Sequence, residues 1–273
     1  TAYTTLTTGK ANTGASVFID STQKLRVAGS WYQSSGTGQG LHSAVRTKDL
    51  STNTWSTTLD TSLVTGDSTQ ILFLNEDPSR SLFVYGTTQT AGGTPASSGW
   101  AITKAFGSGS LPPQTVYQMA PGKFASPIGM VVAPDNSWYV AGTAIDANDN
   151  IHWVVRKSSD GGATWSVSDD FNLARDSTSI KTSKPNKITI GPDGSLYVVG
   201  TAKDLGAGSH LVVRRSLNQG KYWCTVDVID VPNKPDESLA NDVLVTPQGD
   251  IFVVGYITMD GYTRWLVRKW VTP

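Results

Sequence analysis

Cysteine is nearly absent: Cys224 is the only one in 273 residues, so no intrachain disulfide can form. Glutamate is almost as scarce, with Glu76 and Glu237 alone, and histidine is limited to His42, His152 and His210. Charged residues make up 16% of the chain, with 22 basic against 22 acidic. No long Lys/Arg run breaks that balance, so the footprint of a nucleic-acid or anionic-membrane partner is missing. Apolar runs are short, as in Met130-Val131-Val132-Ala133, far below the ~20 residues of a membrane-spanning helix, and membrane insertion is not expected. No signal peptide is legible, because Thr1 opens a strand-like stretch; this fits a mature or trimmed chain. Cys224 lies in the run Tyr222-Trp223-Cys224-Thr225-Val226 and reads as a buried, inert thiol. The Ser/Thr/Gly/Asn-rich composition points to a secreted or cell-surface protein, bacterial in character.

What is abundant is a pattern. It runs Leu25-Arg26-Val27-Ala28-Gly29, Leu82-Phe83-Val84-Tyr85-Gly86, Trp138-Tyr139-Val140-Ala141-Gly142, Leu196-Tyr197-Val198-Val199-Gly200 and Ile251-Phe252-Val253-Val254-Gly255. The glycines are separated by 57, 56, 58 and 55 residues, a period that marks a repeat architecture. Each unit reads as four strands. An apolar strand and a tight turn such as Pro192-Asp193-Gly194 precede the glycine strand, the turn residues supplying restricted and positive φ. A polar loop and a third strand follow, as in Trp153-Val154-Val155-Arg156, Leu211-Val212-Val213-Arg214 and Trp265-Leu266-Val267-Arg268. A fourth strand opens near Trp55, Trp165 or Trp223.

Strands that are apolar on both faces need cover on both faces, and radially stacked sheets supply it. The fold predicted is therefore all-β: a five-bladed β-propeller with four antiparallel strands per blade. The blades fall at approximately 14–60, 68–119, 127–172, 185–230 and 240–273 in one domain spanning 1–273. The last unit stops at Trp270-Val271-Thr272-Pro273 without a fourth strand, while Thr1-Ala2-Tyr3-Thr4-Thr5-Leu6 is a surplus one. Residues 1–8 are thus expected to close the ring by completing the last blade.

The turn before the fourth strand of the third unit reads Ser158-Ser159-Asp160-Gly161-Gly162-Ala163-Thr164-Trp165, and Ser216-Leu217-Asn218-Gln219-Gly220-Lys221-Tyr222-Trp223 is a degraded copy. This is similar to the Ser-x-Asp-x-Gly-x-Thr-Trp pattern of Asp-box (BNR) repeats, so the chain resembles the sialidase-like Asp-box propellers. In that family the boxes lie opposite the active face. The resemblance therefore implies structural roles for Ser158, Asp160, Gly162, Thr164 and Trp165, with side-chain oxygens capping backbone N–H groups.

The resemblance also implies what an active relative would need: an arginine triad, a Tyr–Glu nucleophile pair and an acid/base Asp. Arg46, Arg156, Arg214 and Arg268 instead recur at one repeat position and read as pairing groups between blades. Neither glutamate assigns a Tyr–Glu pair by its position. Arabinanase-type propellers use carboxylates near a central channel, and Glu237, Asp236 and Asp242, with Asp230, are the candidates for such acid/base work. Loops joining blades are often acidic and solvated, which is the plainer reading.

All three histidines directly precede the third strand at one equivalent position, where the other units carry Gly99 and Arg264. Two readings fit. In one, His is a repeat residue bonding a loop carbonyl. In the other, His42, His152, His210 and Arg264 ring one face beside Asp146, Asp204 and Asp260. Trp31, Tyr256 and Tyr262 would then stack on sugar rings while the polar groups bond hydroxyls. Histidines on separate blades cannot share one ion, and Asp146-Ala147-Asn148-Asp149-Asn150 lacks the Gly and distal Glu of an EF-hand, so no metal or cofactor is expected. The expectation is a non-enzymatic, lectin-like propeller binding glycans or cell-surface molecules through repeated sites. A glycoside hydrolase at the central channel and a protein-interaction scaffold are the alternatives.

Overall fold

A computed structural model of the chain describes residues 12–33, 40–61, 68–76, 82–89, 98–104, 117–173, 181–203, 208–229 and 237–270. The closing segment 1–8, Asp204, Asp230 and Asp236 lie outside the described residues, as do the side chains of Trp31 and His42. The described chain is all-β, with no helix, so none is long and apolar enough to cross a membrane. It divides into two compact units, residues 1–127 and 128–273.

In the first unit, β1 (Asn12–Ile19), β2 (Lys24–Gln33), β3 (Gly40–Asp49) and β4 (Thr54–Thr61) form an antiparallel sheet in chain order. β5 (Ser68–Glu76), β6 (Leu82–Gln89) and β7 (Gly99–Lys104) form a second sheet. Ala28, Val45, Leu74, Leu82, Val84 and Ala101 make a shared core. Glu76 is structural here: its carboxylate accepts bonds from Ser21 N and Ser21 Oγ, both at 2.8 Å.

β8 (Ala125–Val132) crosses the division, and β9 (Trp138–Ile145), β10 (Ile151–Ser158) and β11 (Ser166–Phe171) follow it in the second unit. It continues with β12 (Thr182–Ile190), β13 (Leu196–Lys203), β14 (Ser209–Ser216) and β15 (Cys224–Ile229). These two four-stranded sets are joined into one broad sheet by a single parallel pair, Ile151 with Thr182. β16 (Glu237–Val245), β17 (Ile251–Met259) and β18 (Tyr262–Trp270) form a separate sheet of three strands.

Alternation along β13 shows why four successive residues, Leu196 to Val199, are apolar. Leu196 and Val198 enter one core with Tyr139, Trp153, Val155 and Ile188. Tyr197 and Val199 enter another with Leu211, Val213, Val243 and Val253. Successive side chains of a strand point to opposite faces, so β13 is covered on both. Each such side chain gains about 1.5–3 kcal/mol on full burial.

The repeated glycine has a mechanical cause. A Cβ on Gly200 would lie 2.1 Å from Lys184 O, and one on Gly255 1.9 Å from Leu239 O. The first strand bulges immediately beyond its pairing with this glycine, between Pro185 and Lys187 and between Ala240 and Asp242. The same shift occurs opposite Gly29, between Gly14 and Ser16, and opposite Gly86, between Ile71 and Phe73. The bulge drives one backbone into the next, and only hydrogen fits between them.

Two repeat arginines tie successive strand sets together. Arg214 on β14 donates to both oxygens of Asp169 on β11, at 2.6 Å each, with both residues buried. Arg268 on β18 meets Asp227 on β15 at 2.8 Å. Asp169 and Asp227 hold one register, opposite Val155 and Val213.

Two expectations are corrected. Cys224 is exposed rather than buried, because β15 is an edge among the described strands and its first half faces solvent, with Val226 42% exposed; its thiol donates a long contact to Arg215 O at 3.5 Å. The histidines do not precede the third strands but lie within them, paired with Trp31, Ala144 and Ala202.

Candidate functional site

The strand ends nearest His152 assemble a polar cluster of two carboxylates and an imidazole. Asp146 turns the chain from β9 into β10: its Oδ1 accepts from Asn148 N and Asn150 N, and its Oδ2 from Asn150 Nδ2, all at 2.8 Å. An Asx-type turn of this kind replaces backbone pairing with a side-chain acceptor, and Asp149 takes the left-handed conformation at φ 66. The arrangement is a polar turn; among the described residues no group of three His, Cys, Asp or Glu side chains is placed to hold a metal ion.

His152 then lies between two carboxylates, with Nδ1 2.6 Å from Asp170 Oδ1 and Nε2 3.3 Å from Asp146 Oδ2. Ionised carboxylates only accept, so both contacts are satisfied together when both ring nitrogens carry protons. Burial pushes the Asp146 carboxyl up, but the bonds from Asn150, His152 and Asn148 outweigh it and hold the pKa at about 2. Asp170 is the more open acid, with a side chain 45% exposed. The cluster thus offers carboxylate lone pairs at a strand end, fixed in place by an imidazole.

The equivalent position behaves differently in the next sheet. His210 is only 2% exposed, because β16 packs against β13 and β14 and Leu211 N donates to Ser238 Oγ at 2.8 Å. Its ring is interior, which corrects the expectation of a surface ligand contact there. Arg264, at the same register opposite Ile257, is exposed along with Tyr262. Asp260 and Gly261 both take positive φ, 54 and 78, in the two-residue hairpin closed by the Met259–Tyr262 pair. Asp260 is therefore placed by turn chemistry.

A pair that sequence reading did not assign appears on the three-stranded sheet of this unit. Tyr256 Oη donates to Glu237 Oε1 at 3.3 Å. Tyr256 is opposite Leu239 and Glu237 opposite Thr258, so the two are diagonal neighbours on one face. Burial raises the Tyr256 pKa, and the adjacent Glu237 charge raises it further. Asp242 is not part of this pair. It lies five residues along β16, roughly 16 Å at about 3.3 Å per residue, and meets Lys187 at 3.6 Å. Carboxylates flanking one glycosidic bond stand about 5–10 Å apart, so Glu237 and Asp242 cannot serve together. Trp265, directly across from Tyr256, is 94% exposed, since β18 is the sheet edge among the described strands.

At the opposite strand ends, the turn that resembles an Asp-box is held by its own side chains. Ser158 Oγ donates to Asp160 Oδ1 and accepts from Gly162 N, both at 2.8 Å. Thr164 donates through N and Oγ1 to Asp160 at 2.8 and 2.6 Å, and Trp165 Nε1 donates to Gly162 O at 3.0 Å. These bonds, the Thr164 hydroxyl first, bring the Asp160 pKa down to about 2. Gly162 has φ 91, and a Cβ there would meet the Trp138 ring at 2.7 Å. Ser216, Asn218 and Gly220 repeat the arrangement, with Gly220 N on Ser216 Oγ at 3.0 Å and Tyr222 N on Asn218 Oδ1 at 2.9 Å.

No family model and no curated protein sequence matches the chain. Solved structures do. An ulvan lyase, a polysaccharide lyase bound to a GlcA–Rha3S unit, is 11% identical with a TM-score of 0.56, covering 92% of this chain and 68% of that one. An α-L-arabinanase of Penicillium chrysogenum, bound to arabinobiose, is 12% identical with a TM-score of 0.53, covering 92% and 78%. A sialidase of Trypanosoma rangeli, bound to sialic acid, is 10% identical with a TM-score of 0.50, covering 94% of this chain and 54% of that one. The shared feature is the fold: the chain has the β-propeller fold of these structures.

Proposed function

We propose that the chain is a non-enzymatic, five-bladed Asp-box propeller, secreted or displayed at a cell surface, that binds glycans through the strand ends bearing His152. In this reading residues 1–8 supply the fourth strand of the last blade. The three-stranded state of β16–β18 among the described residues is compatible with that.

The observation that carries the binding reading is the Asp146–His152–Asp170 cluster. It presents fixed acceptors suited to sugar hydroxyls, and Tyr262 and Arg264 offer an exposed ring and a cation at the equivalent end of β18. Repeated weak sites gain from a multivalent target. The fold is shared with proteins whose bound ligands are saccharides, which supports the ligand class without fixing it. A glycan array tests it: His152→Ala should weaken the wild-type signal about tenfold or more while the melting temperature stays close to wild type. A wild-type protein that binds no glycan on the array removes the proposal.

The Tyr256–Glu237 contact favours one second reading, a glycoside hydrolase. Turnover of sialosides or arabinans that Glu237→Gln abolishes would establish it, and wild-type inactivity on both would dismiss it.

A further inference from the structure

At the strand ends opposite His152, three turns border a half-open cavity of about 590 Å³. They are the β8–β9 turn at Pro134-Asp135, the β12–β13 turn at Asp193-Gly194, and the β14–β15 turn from Leu217 to Lys221. We propose that this cavity is a second carbohydrate site, selective for a neutral pyranose-sized sugar.

Its walls are fixed before any ligand arrives. Asp135 accepts from Ser137 N and Oγ at 2.9 and 3.0 Å, and Asp193 from Ser195 N and Oγ at 2.9 and 2.6 Å. The third wall is anchored across to the neighbouring strands: Tyr139 Oη and Lys157 Nζ donate to Gln219 O at 2.7 and 3.1 Å, and Ser168 Oγ donates to Gly220 O at 2.7 Å. Gln219 holds φ 58 and Gly220 φ 73 to make that approach. Preorganisation of this kind lowers the ordering cost of binding.

The chemistry facing the cavity is mixed in the manner of a sugar site. Each aspartate uses one lone pair per oxygen on its serine, so both carboxylates keep acceptor capacity for hydroxyls. Asn218 spends its Oδ1 on Ser216 Oγ and Tyr222 N, which leaves its amide NH₂ to donate. The Lys221 side chain adds a second donor, and Pro134 and Leu217, the latter 63% exposed, add apolar surface for the C–H face of a ring. Two carboxylates stand on the lining itself, while of the nearby cations only Lys221 does, Lys157 being spent on Gln219 O and Arg215 lying beside Asp193. A uronate or sialic acid therefore meets acceptors rather than a cationic pocket. The volume lies in the range of small-ligand sites and admits a mono- or disaccharide.

This site is independent of the one proposed at His152, from which Ser158 at the near end of the same strand is separated by roughly 20 Å. The test is two-dimensional ¹H–¹⁵N NMR of the full chain titrated with D-glucose, D-galactose, D-mannose and L-arabinose, and with D-glucuronate as the anionic contrast. At least one neutral sugar should shift the amides of Asp135, Gly194, Gln219 and Lys221, while glucuronate leaves them in place. Lys221→Ala and Asp135→Asn should each weaken that response about tenfold with an unchanged melting temperature, and His152→Ala should leave it intact. The inference is overturned if no neutral sugar moves these amides, if glucuronate moves them equally, or if the two variants respond as wild type. Shifts confined to residues around Asp146 and His152 would overturn it while leaving the first site standing.

Discussion

Replacing Asp169 by alanine is the sharpest test of how the strand sets of residues 128–273 are held together. Arg214 places Nε and Nη2 on the two Asp169 oxygens at 2.6 Å, puts Nη1 on Thr225 Oγ1 at 3.0 Å, and stacks its guanidinium 4.3 Å from the Phe171 ring centre. Both partners are only 8% exposed. Asp169→Ala therefore leaves a guanidinium buried without its counter-charge, which costs about 3–5 kcal/mol. For a unit of this size that is a fall in Tm of roughly 6–20 °C, at about 2–4 °C per kcal/mol. Asp227→Ala is the internal control. It removes the equivalent pair with Arg268, whose side chain is 40% exposed, so water takes over and the loss is about 1 kcal/mol or less. Replacing both members of the buried pair, Asp169→Leu with Arg214→Met, should recover most of the loss, because no orphaned charge remains. Urea and thermal unfolding of the variants read these values directly. A loss for Asp169→Ala no larger than for Asp227→Ala would refute the reasoning, since burial is the only difference invoked.

Gly200→Ala forces a Cβ to within 2.1 Å of Lys184 O and should cost about 3 kcal/mol or more. Gly194→Ala meets open space at φ 80 and should cost only about 1 kcal/mol; equal urea midpoints would contradict the bulge argument. Asp146, with a pKa lowered to about 2 from an unfolded value of ~3.9, contributes stability that is fully present above pH ~4 and lost as pH falls towards 2. Carboxyl-detected NMR should show it ionised down to about that pH, and amide exchange at Asn148 and Asn150 should accelerate in the same window; a midpoint near 4 would remove the turn's electrostatic role. Cys224 should react with a maleimide in the native protein, one equivalent per chain, because it is exposed; protection until unfolding would contradict its placement.

The repeat was legible because its markers are steric. A glycine that a bulged neighbour leaves no room to replace must recur wherever the bulge recurs, so Gly29, Gly86, Gly200 and Gly255 stand out in any reading. The turn from Ser158 to Trp165 was legible for a similar reason, since each of its bonds needs one side-chain type at one spacing. The Tyr256–Glu237 contact was not legible. It depends on hairpin register, and the bulge between Ala240 and Asp242 shifts that register by a residue that no composition reveals. Cys224 was misplaced because an apolar run predicts burial only when the strand has neighbours on both sides, and sequence does not mark which strand is an edge.

The histidine position shows how one repeat slot yields different chemistry. His152, His210 and Arg264 pair with Ala144, Ala202 and Ile257, two residues beyond their glycines. The backbone is therefore the same at each, and what differs is the layer outside it. Against β14 lies β16, and His210 becomes core. β10 has an aspartate turn and β11 at its end, and His152 becomes a clamp between two acids. β18 is an edge among the described strands, and Arg264 reaches solvent. A repeated residue does not by itself make a repeated site. The contact surface is set by whichever loop or sheet covers each copy, so a ligand read from the register alone would find three unlike environments, of which the one at His152 combines fixed geometry with access.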